Sequence, residues 1–377
     1  MGNSYYLLLK KYVQNSPKSL EINWFDLPPN LILLENSHLI TVKKLMKIHG
    51  KNKILNRQIK GLKTSTKKDA LRINFPIHLD KICYIRLYAL MISEGSVRTE
   101  FSLNVPEKEF HQIFEKDLKE LLSKEITIKK DFNHGLERSR APATIRFLVP
   151  IYNTIPKVIF QNKEFAKEYL RVAFEAEGSP IFNLKKHKKY IKLSRNSDVS
   201  QFFSNENDLP LEKRIFINGI KKIYPMQYYN IIKKPDSLIL GEHLLLKYWF
   251  NIDSTLKLES IRLNKLGNRK GKISAKWVLY IYSGEDIERF NQQIGFMSKF
   301  KMEKSQEMLE KIPSRRKQYS ALKIMREIQK ENTFLVRDFN KRMKNLGYKS
   351  PQKFLWDYWN NKKIIKRVKR GEYQVIQ

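Results

Sequence analysis

Two apolar segments of the chain end in the same three residues, Glu-Gly-Ser, and this repetition restricts the fold more than any other feature. The first segment leads to Glu94 and the second to Glu177, which lies 83 residues further along the chain. Apolar residues surround most of the first predicted helix, so it must be packed on several sides. Each segment is followed by a polar-faced strand, a helix and a strand hairpin. The pattern therefore predicts a duplicated α+β core.

Hydrophobic periodicity assigns the individual elements of the two halves. The first helix is expected to end near Glu94, where Gly95 can adopt the left-handed cap conformation. The first half then contains predicted strands at 97–105, 126–132 and 144–149, a helix at 107–124 and a basic loop at 134–142. The second half contains predicted helices at 162–179, 242–250 and 284–296, and strands at 188–195, 256–266 and 276–282.

Glu94 and Glu177 are the residues with the clearest chemical implication. A carboxylate in the last turn of a helix is unfavourable, because the helix dipole already places partial negative charge there. A single glutamate in this position is usually a solvated helix end, but two in the same context are harder to explain in that way. If the two helices pack in parallel, both carboxylates meet at one end and repel each other. A divalent cation would neutralise them, and hard oxygen ligands suit Mg²⁺.

The charge of the chain indicates a polyanionic partner. Its 377 residues include 73 Lys and Arg but only 38 Asp and Glu, which gives a net charge of +35. Such an excess most often accompanies nucleic-acid binding. Basic residues on the polar strand faces would form a positively charged saddle for duplex DNA; they are Arg98, Lys129, Arg146, Lys188, Lys192 and Arg195. Together with the two glutamates, this surface predicts metal-assisted hydrolysis of phosphodiester bonds.

Several classes of protein are excluded by composition. Cys83 is the only cysteine, so an intramolecular disulfide and a cysteine zinc site are both ruled out. No apolar run approaches the roughly 18 residues of a membrane helix. The expected location is intracellular: the cytoplasm or nucleoid, or an organelle if the host has one.

Basic segments flank the predicted core on both sides. Residues 1–74 include two short predicted helices, at 40–50 and 52–62, around a Gly turn, which fits a helix-turn-helix. A solvated basic hairpin is the alternative. Residues 311–377 carry 19 basic and 5 acidic residues. Three predicted helices and a hairpin there indicate a winged-helix-like DNA-binding domain, with a basic helical cap as the alternative. Trp356 and Lys353, on the third of these helices, are the candidates for its recognition face.

At the two glutamates the chain resembles the LAGLIDADG homing endonucleases of the single-chain, two-motif kind. The first motif is Leu87-Tyr-Ala-Leu-Met-Ile-Ser-Glu-Gly95, and the second is Leu170-Arg-Val-Ala-Phe-Glu-Ala-Glu-Gly178. The resemblance covers about residues 75–310, with units at 75–165 and 166–310. It implies a duplicated αββαββα core whose saddle-shaped antiparallel sheets are related by a pseudo-twofold axis. Two positions depart from the motif, since Val172 replaces the usual Gly and Ile92 fills a slot that is often acidic.

The resemblance also implies an activity and its residues. Glu94 and Glu177 would bind Mg²⁺ or Mn²⁺, with Ser93 and Ala176 as neighbours whose backbone can help, and Lys301 would be the basic residue near the active centre. Lys276 is a further candidate for that role and for DNA binding. The implied protein is a monomeric endonuclease that cleaves double-stranded DNA at a specific site and serves intron homing. A non-cleaving DNA-binding regulator and a maturase that acts on intron RNA remain as alternatives.

Overall fold

The computed structural model describes most of the predicted core and parts of both flanking segments. The described residues are 32–35, 38–41, 43, 47, 59–63, 72–74, 77–97, 100–122, 126–133, 135–142, 145, 148–149, 155–183, 188–203, 215–264, 270–311, 318–329, 333–345, 351–361 and 363–376. All strand pairs within them are antiparallel, and helices and sheets are mixed along the chain, so the fold is α+β.

The N-terminal segment contains an antiparallel sheet, which the sequence did not predict. Its strands pair in the order β2-β1-β3-β4; they are β1 (Ile32–Glu35), β2 (His38–Thr41), β3 (Ile59–Lys63) and β4 (Arg72–Asn74). The prediction of a helix at 52–62 is therefore wrong for residues 59–62, which belong to β3. Lys43 and Lys47 are helical, and the remainder of the two predicted helices lies outside the described residues.

The first unit follows the predicted order up to its second hairpin. Its elements are α1 (Ile82–Ser93), β5 (Gly95–Ser96), β6 (Phe101–Asn104), α2 (Lys108–Leu121), β7 (Lys129–Asn133) and β8 (Leu136–Ala141). Phe110, Phe114 and Leu118 lie on one side of α2 and are buried against the core, as expected for an amphipathic helix. Towards the second unit, a 3-10 turn is formed by Lys157–Phe160.

The second hairpin of this unit is displaced from its predicted place. The predicted basic loop at 134–142 is largely strand β8, whereas the described residues of the predicted strand at 144–149 are buried and include a 3-10 conformation at Ile145 and Leu148. A two-residue turn joins β7 to β8, and Gly135 in it has a φ of 80°, which suits a tight hairpin. Asp131 on β7 pairs with Arg138 and Arg140 on β8. These ion pairs explain why such a charged segment forms a strand.

The second unit repeats the order and adds a helical insertion. Its elements are α3 (Lys163–Glu177), β9 (Gly178–Asn183), β10 (Lys188–Asp198), β11 (Ile215–Phe216), α4 (Ile217–Ile223), α5 (Pro225–Lys233), α6 (Ser237–Phe250), β12 (Thr255–Leu263), β13 (Ile273–Ile281), α7 (Gly284–Gln293) and α8 (Lys299–Lys311). Asp236 caps α6 by accepting hydrogen bonds from two backbone N–H groups of its first turn.

Sheet topology confirms the duplication. The first sheet has the strand order β5-β6-β8-β7, and the second has β9-β10-β13-β12 with β11 added at its outer edge. When β11 is left out of the count, both sheets have the same order. The first strand of the unit pairs with the second, the second pairs with the fourth, and the fourth pairs with the third. Each unit therefore places its first strand, which leaves the end of the apolar helix, in the same position of the sheet.

The two helix-ending glycines leave no room for a side chain. A Cβ on Gly95 would lie 2.6 Å from the Met91 carbonyl oxygen, and one on Gly178 would lie 2.4 Å from that of Phe174. Gly178 has a φ of −97°, and Gly95 is not among the described residues with positive φ. The predicted left-handed cap at Gly95 is therefore wrong. Glycine is needed because the strand turns back closely over the helix.

Alanine at either glycine is expected to destabilise the fold by about 2 kcal/mol, because the new Cβ must displace helix backbone. Urea unfolding of Gly95→Ala and Gly178→Ala measures this effect. Ser179→Ala, at the partly exposed residue beside Gly178, serves as a control that should unfold near the urea concentration of the unsubstituted protein. A Gly178→Ala protein of unchanged stability would show that the close approach is absent.

The C-terminal segment has its own apolar core. Its elements are α9 (Gln318–Ile328), β14 (Phe334–Leu335), α10 (Val336–Asn345), α11 (Gln352–Trp356), a π-helical turn (Asp357–Asn361), β15 (Ile365–Lys369) and β16 (Glu372–Val375). The three predicted helices and the hairpin are present, and β14 adds a third strand in the order β14-β16-β15. Met325, Phe339, Met343 and Leu355 belong to a buried cluster separate from that of the two units.

Candidate functional site

The two motif helices pack against each other, which is the condition under which the sequence predicts that the two glutamates meet. α1 and α3 are in contact, and Ala89 and Ala173, one on each helix, are completely buried. Small side chains allow helices to approach closely, and Val172, which replaces the usual Gly, is accommodated as a buried residue. The helix pair brings together the ends of two segments that are far apart in sequence.

Glu94 and Glu177 lie close enough to influence each other. The pKa of Glu94 is raised to about 7, mainly by burial and also by the negative charges of Glu177 and Glu107, while Arg195 and Lys301 oppose the rise. Burial also raises the pKa of Glu177, although Arg195 and Lys301 oppose this rise. Glu94 makes no ion pair within 4.0 Å in the part of the chain that the structure describes. Burial and the nearby carboxylates therefore disfavour the ionised form of Glu94, and burial disfavours that of Glu177.

Lys301 lies beside both glutamates on α8. Its positive charge lowers the pKa of Glu94 and that of Glu177. Its ammonium group donates a hydrogen bond to the backbone carbonyl of Glu175 and lies 3.6 Å from the Glu175 carboxylate. That carboxylate accepts hydrogen bonds from the backbone N–H groups of Met297, at 2.7 Å, and Ser298, at 3.0 Å. Glu175 thereby holds the start of α8, and Lys301 with it, against α3.

Arg195 occupies a different place from the predicted one. Its side chain is only 6% exposed, so it does not belong to the positively charged saddle. Arg195 follows Ile191 and Leu193 at intervals of two residues on β10, and alternate residues of a strand share a face. The alternation therefore directs Arg195 into the core, where its pKa is raised by Glu242 against the opposing effect of burial.

The other predicted DNA-binding residues that the structure describes lie on the two sheets of the core and on the C-terminal segment. Lys188 and Lys192 lie on the face of the second sheet that also carries Lys276, since Lys192 pairs with Tyr280, four residues beyond Lys276. Lys129 is exposed on β7, and Lys353 is exposed on α11. Lys276 is half-buried and makes a 2.7 Å ion pair with Glu259. Arg98 and Arg146 lie outside the described residues.

The structure identifies residues near the site that sequence reasoning missed. Glu242 is completely buried, and its neighbours at helical spacing are Leu238, Ile239, Leu245 and Leu246. An acidic residue on the apolar face of a helix needs a partner, and this signal could have revealed it. On the first sheet, Arg138 and Arg140 lie on the same face as Lys129, because Lys129 pairs directly with Arg140.

The residues at the helix ends fit a divalent metal ion of the magnesium type. Mg²⁺ is commonly bound by one or two carboxylates together with water and substrate phosphate oxygens. Glu94 and Glu177 supply two carboxylates of raised pKa that repel each other, and Ser93 and Ala176 directly precede them. Within the described ranges there is no group of three or more His, Cys, Asp or Glu that could hold a metal ion by itself. Further ligands would therefore have to come from backbone, water or a phosphate.

None of the described helices is long and apolar enough to cross a membrane.

Comparisons with known proteins find similarity only among solved structures. No protein-family model and no curated protein matches the chain. The N-terminal LAGLIDADG domain of DUF199/WhiA is 15% identical, with 60% of this chain and 89% of that chain covered and a TM-score of 0.32. Full-length DUF199/WhiA from Thermatoga maritima is 16% identical, with coverages of 76% and 83% and a TM-score of 0.33. The homing endonuclease I-DmoI in complex with DNA and Mn is 14% identical, with coverages of 57% and 98% and a TM-score of 0.29. LAGLIDADG proteins are thus what the chain is similar to, at TM-scores too low to assign it a family or an activity.

Proposed function

We propose that this chain is a site-specific endonuclease that hydrolyses double-stranded DNA with a divalent metal ion, Mg²⁺ or Mn²⁺, held by Glu94 and Glu177. The observation that carries the proposal is the meeting of these two glutamates at the ends of packed helices. Burial and mutual repulsion raise the pKa of Glu94 to about 7. Perturbed carboxyl groups that lie close together are typical of catalytic and metal-binding sites. The motif resemblance at residues 87–95 and 170–178 supports the same function.

The protein groups around the glutamates have separable tasks. A bound Mg²⁺ or Mn²⁺ would supply Lewis-acid activation of water and of the phosphate. Glu94 and Glu177 would provide oxygen ligands, and the backbone of Ser93 and Ala176, which directly precede them, would help. Lys301, held by Glu175, would place a positive charge beside the developing negative charge of the displaced oxygen. Lys276 is a second cation near Glu177.

The partner of this surface is double-stranded DNA. A net charge of +35 favours binding to phosphates, and lysines and arginines lie on both sheets of the duplicated core. We propose that the units at 75–165 and 166–310 each contact one half of the target, and that one chain acts as a monomer because it supplies both glutamates. The segments at 1–74 and 311–377 would add contacts outside the central site, with Lys353 on the recognition face of the second.

A plasmid cleavage assay tests the proposal. The substrate is supercoiled plasmid that carries the DNA on either side of the gene, because intron homing would place the target there. Linear product that requires Mg²⁺ or Mn²⁺ and disappears with a chelator is the expected result. Binding of the same DNA without cleavage would instead identify a DNA-binding regulator. Promotion of intron RNA splicing without DNA cleavage would identify a maturase.

A further inference from the structure

Arg195 connects the two halves of the core directly beside the glutamates. Its Nη1 atom donates a hydrogen bond to the Ser93 hydroxyl at 3.1 Å and lies 3.9 Å from Oε1 of Glu177. Ser93 is the last residue of α1 and precedes Glu94, whereas Glu177 ends α3. One guanidinium nitrogen of the second unit therefore faces both helix ends.

Glu242 fixes the direction of this guanidinium. Nη2 and Nε of Arg195 donate to Oε1 of Glu242 at 2.6 Å and 3.1 Å. Glu242 is completely buried and also accepts a hydrogen bond of 3.2 Å from the hydroxyl of Tyr169 on α3. A forked pair of this kind is rigid as well as strong. Because Nε and Nη2 of the planar guanidinium group are hydrogen-bonded to Glu242, Nη1 is directed towards Ser93 and Glu177.

We infer that Arg195 is a positioning residue for the two-glutamate centre, held by Glu242 and directed at Ser93 and Glu177. Its burial keeps it away from DNA, and its Nη1 contacts do not serve the pairing with Glu242. Groups that contact metal-binding carboxylates from behind orient them, and their loss weakens metal binding. The role rests on the proposed function, because it assumes that Glu94 and Glu177 hold a cation.

The variant Arg195→Lys separates geometry from charge. Lysine keeps the positive charge, so the repulsion between residue 195 and a bound cation is retained, but it cannot form the fork with Glu242 and reach Ser93 at the same time. We expect the affinity of the full chain for Mn²⁺, measured calorimetrically without DNA, to fall at least about tenfold.

Arg86→Lys is the matched control. Arg86 lies on α1, eight residues before Glu94, and forms a similar fork with buried Asp117, with hydrogen bonds of 2.9 Å and 2.6 Å. Both lysine variants should unfold at lower urea concentrations than the unsubstituted chain. Only Arg195→Lys should lose Mn²⁺ affinity. Equal Mn²⁺ affinities in the two variants would overturn the positioning role, even though the unsubstituted chain binds Mn²⁺.

A second measurement does not depend on metal. Ser93→Ala and Arg195→Lys remove the same hydrogen bond, so the double variant should be hardly less stable than Arg195→Lys alone. Additive losses in urea unfolding would show that Arg195 does not join the two helix ends. If the unsubstituted chain fails to bind Mn²⁺, the proposed metal centre is refuted and the positioning role is refuted with it. The unfolding cycle would then report only whether the structural link exists.

Discussion

Replacement of either glutamate by glutamine is expected to abolish DNA cleavage while DNA binding remains. Glu94→Gln and Glu177→Gln each remove one oxygen ligand of the cation but preserve the size of the side chain. Metal ions contribute several kcal/mol to such reactions, so the rate should fall at least about a thousandfold. Affinity for the same DNA in a gel-shift assay should stay within about threefold, since the phosphate-binding lysines and arginines are unchanged. Plasmid cleavage and gel shift on the same preparations measure both effects.

Glu168→Gln is the control for these two variants. Glu168 lies on α3, nine residues before Glu177, and its carboxylate is 3.6 Å from Arg86. The Glu168→Gln substitution removes an acidic group from the same helix at a distance from the proposed centre, so DNA cleavage should persist. Activity that survives the combined replacement of Glu94 and Glu177 would remove the proposed assignment of the catalytic centre.

The sequence predicted the paired helices and their glutamates because both depend on local patterns that the fold preserves. The apolar periodicity of α1 and α3 fixed the helices, and the repeated Glu-Gly-Ser marked their ends. Gly95 and Gly178 mark these ends for another reason than the predicted one. The close return of a strand over the preceding turn excludes a Cβ, and this steric condition depends on the path of the chain after the helix.

Other features depend on partners that the sequence does not reveal locally. The charged residues of strand β8 indicate a loop when the sequence is considered alone. In the structure, Asp131 on the neighbouring strand forms ion pairs with the arginines of β8. The helical pattern predicted at 52–62 is interrupted by strand β3 (Ile59–Lys63). This strand pairs with β1 (Ile32–Glu35), which precedes the pattern in the sequence. The inward direction of Arg195 follows from the alternation with Ile191 and Leu193, but its partner Glu242 is 47 residues away.

The positive charges near the glutamates do not fully offset the burial of their carboxyl groups. Arg195 is already paired with Glu242 at 2.6 Å, and Lys301 is held by Glu175. These cations reduce the cost of ionising Glu94 and Glu177, yet the pKa of each glutamate remains above its usual value. Burial is the main cause of both rises, and under the proposed function a divalent cation would favour the ionised form of both glutamates.

Mn²⁺ binding is expected to weaken about tenfold between about pH 8 and pH 6, and about tenfold again by pH 5, because a carboxylate must lose its proton to bind a metal. The pKa of Glu94, about 7, places the decrease in this range, whereas an ordinary glutamate would remain ionised throughout. The raised pKa of Glu177 should steepen the decrease at its acid end. Calorimetric titration of the full chain with Mn²⁺ at several pH values measures the effect, and an affinity that stays constant down to pH 5 would contradict it.

The same pKa predicts how the stability of the metal-free protein depends on pH. Glu94 has a higher pKa in the folded chain than the usual value of 4.5, so the folded state binds the proton more tightly than the unfolded state. Its contribution to stability is therefore fully present below about pH 4.5 and is lost as the pH rises through about 7.

Glutamine resembles the protonated form of Glu94 at every pH. Glu94→Gln should thus become progressively more stable than the unsubstituted protein as the pH rises from about 5 to 8, and saturating Mn²⁺ should reverse the difference, because only the unsubstituted protein retains both ligands. Urea unfolding of both proteins with and without Mn²⁺ measures these differences, and a Glu94→Gln protein that is equally stable at every pH would show that the folded protein does not disfavour the charge of Glu94.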